Sequence, residues 1–282
     1  MSVLDDTRPD IVVLALARNC AATLPAFLHF LASLRAAGLD CRALVGENDS
    51  RDGTGALLVA AQARGELRHV PTGFMTQTRG RLARMAAGRE HLKRVLDAQG
   101  LAPACVCVAD IDNVMARPPE PAAILAALEK LERPGLFAVS AASYPRYYDL
   151  LAYEDEAVSY EHLLDDIARH RRGALNYYRF FSGTIYPAQS ALTRARETTC
   201  RSAFNGLTLY RGEDYRLGSY LDETYARCEH LTFNRRLAAA TGRRMLVDPD
   251  LVLRTPGDHA QRGFFSFYAS RVRKLAVTRL RG

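Results

Sequence analysis

Two carboxylates, Asp110 and Asp112, stand one residue apart and are followed by Asn113. They end the run Ala-Cys-Val-Cys-Val-Ala (104 to 109), whose small and β-branched residues predict a buried strand. Two aspartates at a strand end can share a hard divalent cation together with the phosphate oxygens of a ligand. The same residues also suit a polar turn, because Asp and Asn favour turns. A bare Asp-x-Asp is short, so its weight comes from the elements that position it.

Ile11 to Leu16 is a continuous apolar run ending in Ala-Arg18-Asn, as a parallel strand buried on both faces would read. Leu24, Phe27, Leu28, Leu31 and Leu34 recur at helical spacing up to Gly38. A second strand, Cys41 to Val45, empties into Gly-Glu-Asn-Asp-Ser-Arg-Asp-Gly-Thr (46 to 54), where Ser50 or Asp52 can cap the next helix. Leu67 to Val70 predicts a short third strand. A helix from Thr78 to Gln99 follows, with Leu82, Met85, Leu92, Val95 and Leu96 inward and Arg79, Arg81, Arg84 and Arg89 near its start. The strand ending at Asp110 comes next. Strands alternating with helices predict an α/β fold, a doubly wound and mostly parallel sheet with helices on both faces. Beyond it the pattern predicts a helix over 118 to 133 and strands over 136 to 140 and 244 to 253. A helix opening at Cys228-Glu229-His230 precedes the last strand, and a Tyr- and Arg-rich insertion runs from Tyr144 to Tyr186.

The chain has 282 residues, 48% of them hydrophobic, enough for one large domain. No apolar run approaches the roughly 18 residues of a membrane span, and the first ten residues lack a signal peptide's basic start and apolar core. A cytoplasmic protein is expected. The six cysteines have no paired zinc-site spacing. Thirty-eight Lys and Arg against 31 Asp and Glu give a net charge of +7, which suits phosphate-bearing ligands, nucleic acid or an anionic membrane.

Three strand ends thus carry Ala-Arg-Asn, Glu-Asn-Asp-Ser-Arg-Asp-Gly-Thr and Asp-Ile-Asp. This arrangement resembles the GT-A fold of nucleotide-sugar glycosyltransferases. The second segment is similar to the D-D-G-S-x-D-G-T signature of family 2 enzymes, with Glu47 and Asn48 in place of the leading aspartates. Cys-Arg-Ser-Ala-Phe-Asn-Gly-Leu (200 to 207) and Cys-Glu-His-Leu-Thr-Phe-Asn (228 to 234) look like the fungal capsule mannosyltransferase family. The likeness spans about Ile11 to Leu253. It implies one catalytic domain over 1–258, with a nucleotide-sugar half at 8–115 and an acceptor half at 116–258, followed by a basic aromatic tail at 259–282. It implies a Mn²⁺ or Mg²⁺ cofactor, a UDP- or GDP-linked sugar as donor, and a glycan or lipid-linked acceptor, with no nucleic acid. By the same resemblance Asp112 would hold the metal, Asp110 the metal or the ribose, and Glu47, Asp49 and Asp52 the nucleoside. Arg18, Arg79, Arg81 and Arg84 would serve the donor, and His259 would complete the metal shell.

Activating an acceptor hydroxyl needs a carboxylate or imidazole within hydrogen-bond reach. Glu229 and His230 lead, with Glu213, Asp214 and Asp222 behind them. Tyr144, Tyr147, Tyr148, Tyr177, Tyr178 and Phe180 offer flat faces to a sugar, or core packing. Two other functions compete: a haloacid dehalogenase-like phosphatase with Asp110 as nucleophile, and a non-catalytic basic module. From His259 onward no acid interrupts the arginines and aromatics, a mixture that suits an anionic membrane surface.

Overall fold

In the computed structural model, which describes residues 10–224, 227–255 and 263–269, the apolar runs form one eight-stranded sheet. The first half supplies β1 (Ile11–Ala17), β2 (Cys41–Glu47), β3 (Arg68–Pro71) and β4 (Cys105–Asp110). The second supplies β5 (Leu136–Tyr144), β6 (Thr198–Cys200), β7 (Leu207–Arg211) and β8 (Arg244–Arg254). The order is β3-β2-β1-β4-β7-β5-β8-β6. The β3-β2-β1-β4 block is parallel and so is the β5-β8 pair, whereas β7 runs against both β4 and β5, and β6 against β8. The sheet is therefore mixed. Three-residue β6, at an edge, is too short to show the period-two pattern that betrays a strand.

Helices cover both faces. On one, α1 (Leu24–Ala36), α2 (Thr54–Ala63) and α4 (Pro121–Leu131) bury Phe27, Leu31, Leu58 and Ile124 against Val13, Ala15 and Cys107. On the other, α3 (Arg81–Ala98) and α9 (Glu229–Thr241) bury Leu92, Leu96, Phe233 and Leu237 against Val12, Leu14 and Val106. Alternating strand residues thus feed two separate cores, as the pleat requires. The Tyr-rich insertion forms α5 (Tyr160–His170), α6 (Ala174–Phe180), a π-helical turn at Phe181–Ile185 and α7 (Tyr186–Arg194). A one-turn α8 (Gly212–Tyr215) follows β7. No helix among the described residues is long and apolar enough to cross a membrane.

Several local expectations are corrected. Helix α3 starts at Arg81, because Gly73–Gln77 forms its own 3₁₀ turn and Gly80 takes φ 83°. Leu82 and Met85 are only half-buried, while Arg89, counted with the arginines near the helix start, is buried. The residue capping α2 is Gly53, at φ 89°, and neither Ser50 nor Asp52 occupies that position.

The register fixes which loops share an edge. Leu207, at the start of β7, lies beside Ala109, at the end of β4, while Arg211 lies beside Cys105. Residues 204–206 therefore meet Asp110, and α8 lies at the far end. Since β5 is antiparallel to β7, its exit at Tyr144 faces the same edge as Asp110. Helix α9 feeds parallel β8, so its first turn returns to that edge as well.

Candidate active site

The loops after β1 and β2 are tied together. Asn19 N donates to Ser50 Oγ at 2.9 Å, Cys20 N to Thr54 Oγ1 at 2.9 Å, Ala21 N to Asp52 Oδ2 at 3.0 Å, and Arg51 N to Asn19 Oδ1 at 2.8 Å. Glu47 Oε1 accepts from Ser50 N at 2.6 Å. Asn19 and Asp49 adopt left-handed φ of 52° and 47°, tolerable for Asn and Asp. Of the three acids predicted around a nucleoside, Asp49 and Asp52 are exposed and Glu47 is half-buried; Asp49 lies against Gly73, where an added Cβ would sit 3.2 Å from Asp49 Oδ1. Asp52 holds the loops: its carboxyl lies below the usual range, chiefly because the Thr54 hydroxyl donates to it. Arg18 is exposed at the end of β1.

Behind Asp110 lies a buried ion network. Arg89 of α3 donates from Nη2 to Asp110 Oδ1 at 2.8 Å and from Nε to Glu229 Oε1 at 3.3 Å, and its side chain is 4% exposed. Burial works against its charge, but the two carboxylates outweigh that and raise its pKa. The guanidinium also lies 5.2 Å from the Phe204 ring centroid, and the His230 ring stacks on Phe204 with centroids 3.4 Å apart. Burial, then the charges of Arg89 and Arg81, holds His230 well below its ordinary pKa, so it is neutral. Among the described residues, neither His230 ring nitrogen has a hydrogen-bond partner.

Tyr148 and Asp149 enter this cluster from the exit of β5. Asn205 Oδ1 accepts from Tyr148 N at 3.2 Å and from Asp149 N at 3.4 Å, fixing the segment against the β7 start. Gly206 is required there: at φ 91°, an added Cβ would stand 2.8 Å from Val114 Cγ1 and 3.0 Å from Tyr148 Oη. Burial, and next the negative charges of Glu229 and Asp110, push the Asp149 carboxyl up to about 7, with Arg81 opposing them. Burial and the charges of Asp110, Asp149 and Asp112 likewise raise the Tyr148 phenol.

Of the residues expected from the sequence, the structure thus gathers Asp110, Asp112, Arg81, Glu229 and His230 along one edge. Arg84 instead donates to Thr78 O, and Arg79 is exposed. Glu213 and Asp214 pair with Arg243 at the opposite end of the sheet, which corrects their candidacy as acceptor-side groups, and Asp222 pairs with Arg227. A cavity of about 420 Å³ at that opposite end is lined by Glu154, Arg201, Arg235, Arg243 and Arg244, apart from the strand-end acids. Tyr147 and Phe180 are core residues, leaving Tyr148 as the tyrosine of the predicted set that stands among the acids. His259 lies outside the described residues.

Two residues of the site, Arg89 and Asp149, are not disclosed as such by the sequence, whereas Tyr148 is among the tyrosines it offers. Arg89 was hidden because a basic helix residue reads as solvated. Its replacement is a test: Arg89→Met leaves two acids unpaired, so urea unfolding is expected to show a loss of about 3–5 kcal/mol. A loss below about 1 kcal/mol would be that of a surface pair and would contradict the buried network.

Among the described residues, no three His, Cys, Asp or Glu side chains are grouped to hold a metal. The strand end instead offers two carboxylates. Asp110 carries Arg89 on Oδ1, while exposed Asp112 accepts from Val114 N at 3.0 Å. Oxygen donors in this number fit a hard cation that takes its remaining ligands from a substrate's phosphates, the habit of Mg²⁺ in phosphate sites.

The sheet order and the strand-end site define a fold of the GT-A type. Among solved structures the chain is similar to the mannosyltransferase PcManGT from Pyrobaculum calidifontis, described in complex with GDP-Man and Mn²⁺. The TM-score is 0.50 at 17% identity, over 98% of this chain and 66% of that one. It also matches glucosyl-3-phosphoglycerate synthase from Mycobacterium tuberculosis (TM-score 0.44, 15% identity, 87% and 69% covered). Mannosyl-3-phosphoglycerate synthase from Rubrobacter xylanophilus matches with TM-score 0.43 and 17% identity, 96% and 75% covered. The chain thus spans about two thirds of the length of PcManGT. No family model and no curated protein matches the sequence.

Proposed function

We propose that this chain is a metal-dependent glycosyltransferase that moves a sugar from a nucleoside-diphosphate donor to a hydroxyl of a glycan, glycolipid or polysaccharide precursor. The observation that carries the reading is the convergence, on one edge of a GT-A-type sheet, of the β1 and β2 loops, Asp110 and Asp112, and the acid pair Asp149 and Glu229. The first half of the chain, 8–115, supplies the nucleotide side and the second, 116–258, the acceptor side.

The likeness to a mannosyltransferase described with GDP-Man and Mn²⁺ supports the donor class and the ion. Asp112, with Asp110 beside it, would hold Mn²⁺ or Mg²⁺, which when bound would offset the charge of a departing diphosphate. Arg89 fixes Asp110 in place through its Nη2 hydrogen bond. Arg81, whose charge reaches both Asp149 and His230, adds positive potential at the same edge. In this reading Asp149 takes the acceptor proton. A carboxyl that titrates near pH 7 is matched to that task, whereas Glu229 is buried and paired with Arg89. Burial and the charges of Glu229 and Asp110 hold the Asp149 carboxyl in its raised range.

The test is a donor panel of UDP- and GDP-linked hexoses with Mn²⁺, read as release of nucleoside diphosphate. Turnover of one base over the other, with no inorganic phosphate, is the expected result. Release of inorganic phosphate regardless of the base would favour the phosphatase alternative.

A further inference from the structure

We propose that the face formed by α6 and the helical residues 264–269 is a docking surface for an anionic lipid bilayer. The proposal is independent of the glycosyltransferase reading.

The inner side of this face is closed. Phe267 is 1% exposed and meets Tyr177, Tyr178 and Phe181 edge-on, at centroid distances of 5.6, 5.5 and 5.2 Å. Phe264 meets Tyr178 at 5.2 Å, and Tyr268 Oη donates to Ala174 O at 2.5 Å. The aromatics of 263–269 are therefore a packed addition to α6 on this side.

The outer side is what a water-soluble surface avoids. Phe265 is 86% exposed, the highest value among the exposed large hydrophobics, and Leu175 is 52% exposed. Leu175 and Arg179 stand four residues apart on α6, one turn of the same face, and Arg171 and Arg172 lie in the turn that leads into the helix; all three arginines are exposed. The nearest acid pairing along the chain, Arg169 with Asp166, involves none of them. In the sequence beyond Ala269, basic residues continue at Arg271, Arg273, Lys274, Arg279 and Arg281 without an acid.

Charge complementarity selects the occupant. Isolated arginines fit any polyanion, but a protruding Leu and Phe between them gain only where apolar groups can leave water. A bilayer interface offers this, with headgroup charge above and acyl chain below. A nucleic acid offers Leu175 nothing.

The experiment is sedimentation of the full chain with vesicles of phosphatidylcholine, with and without phosphatidylglycerol, at low and high salt. Binding is expected only with phosphatidylglycerol, and it should fall at high salt because the attraction is screened over a Debye length of about 10 Å at 0.1 M. Arg172→Gln with Arg179→Gln is expected to lower partitioning roughly thirtyfold. Phe265→Ser should lower it with unchanged melting, since that ring is almost fully exposed. No binding to the anionic vesicles, or equal binding by wild type and both variants, would overturn the proposal. So would size-exclusion showing a dimer that Phe265→Ser dissociates, because a second copy would then be the occupant.

Discussion

Asp149→Asn is expected to lower transfer turnover roughly 10²–10⁴-fold while leaving nucleotide affinity unchanged, the magnitude associated with losing a general base. The asparagine keeps shape and loses basicity. In the wild type, turnover should rise with pH through about 7, where the Asp149 carboxyl ionises. Glu229 is the second cause of that raised value, after burial. Glu229→Gln should therefore shift the rising limb to lower pH, which a purely structural role for Glu229 would not do. Stability supplies an independent readout. The folded state keeps the Asp149 proton up to about pH 7, whereas an unfolded aspartate loses it near the ordinary value of 3.8. The stabilising effect of that proton is complete below the lower value and lost as pH rises through the higher one. The variant should accordingly melt above wild type at pH 8 and level with it in acid. Near-normal turnover, or melting curves that differ equally at both pH values, would return Asp149 to the role of an ordinary turn residue.

How much of this site the sequence disclosed follows from the range of each signal. Asp110 and Asp112 were legible because an apolar strand and its polar end are contiguous. The β2 loop was legible for the same reason, although the structure uses Glu47 and Asp52 to brace the loops and leaves Asp49 outward. Glu229 and His230 could be placed through their helix start, since a helix that feeds a parallel strand begins at the carboxyl edge. Asp149 could not be placed, because its position depends on β5 running on to Tyr144 and on Asn205 gripping the following backbone from another strand. Arg89 needed the distant Glu229, 140 residues away, to explain its burial. The sequence of 200–210 reads as a loop feeding a strand, but the antiparallel direction of β7 was hidden, and its register is what separates Asp149 from Glu213 and Asp214 as acceptor-side groups.

The second large effect concerns Asp112 and carries the central claim. Its carboxylate is exposed at the end of β4, and an asparagine Oδ1 can still accept from Val114 N, so Asp112→Asn preserves the local turn. What it removes is negative charge facing a cation that must also meet two phosphates. Without either the ion or the carboxylate, anion meets anion uncompensated. The direct measurement is calorimetric titration of UDP and GDP into wild type and Asp112→Asn, each with and without Mn²⁺, beside matched melting curves. The account predicts that one nucleotide binds wild type only with Mn²⁺, and that the variant loses this binding while its melting is unchanged. Equal affinity in the two proteins, or wild-type affinity indifferent to Mn²⁺, would contradict it.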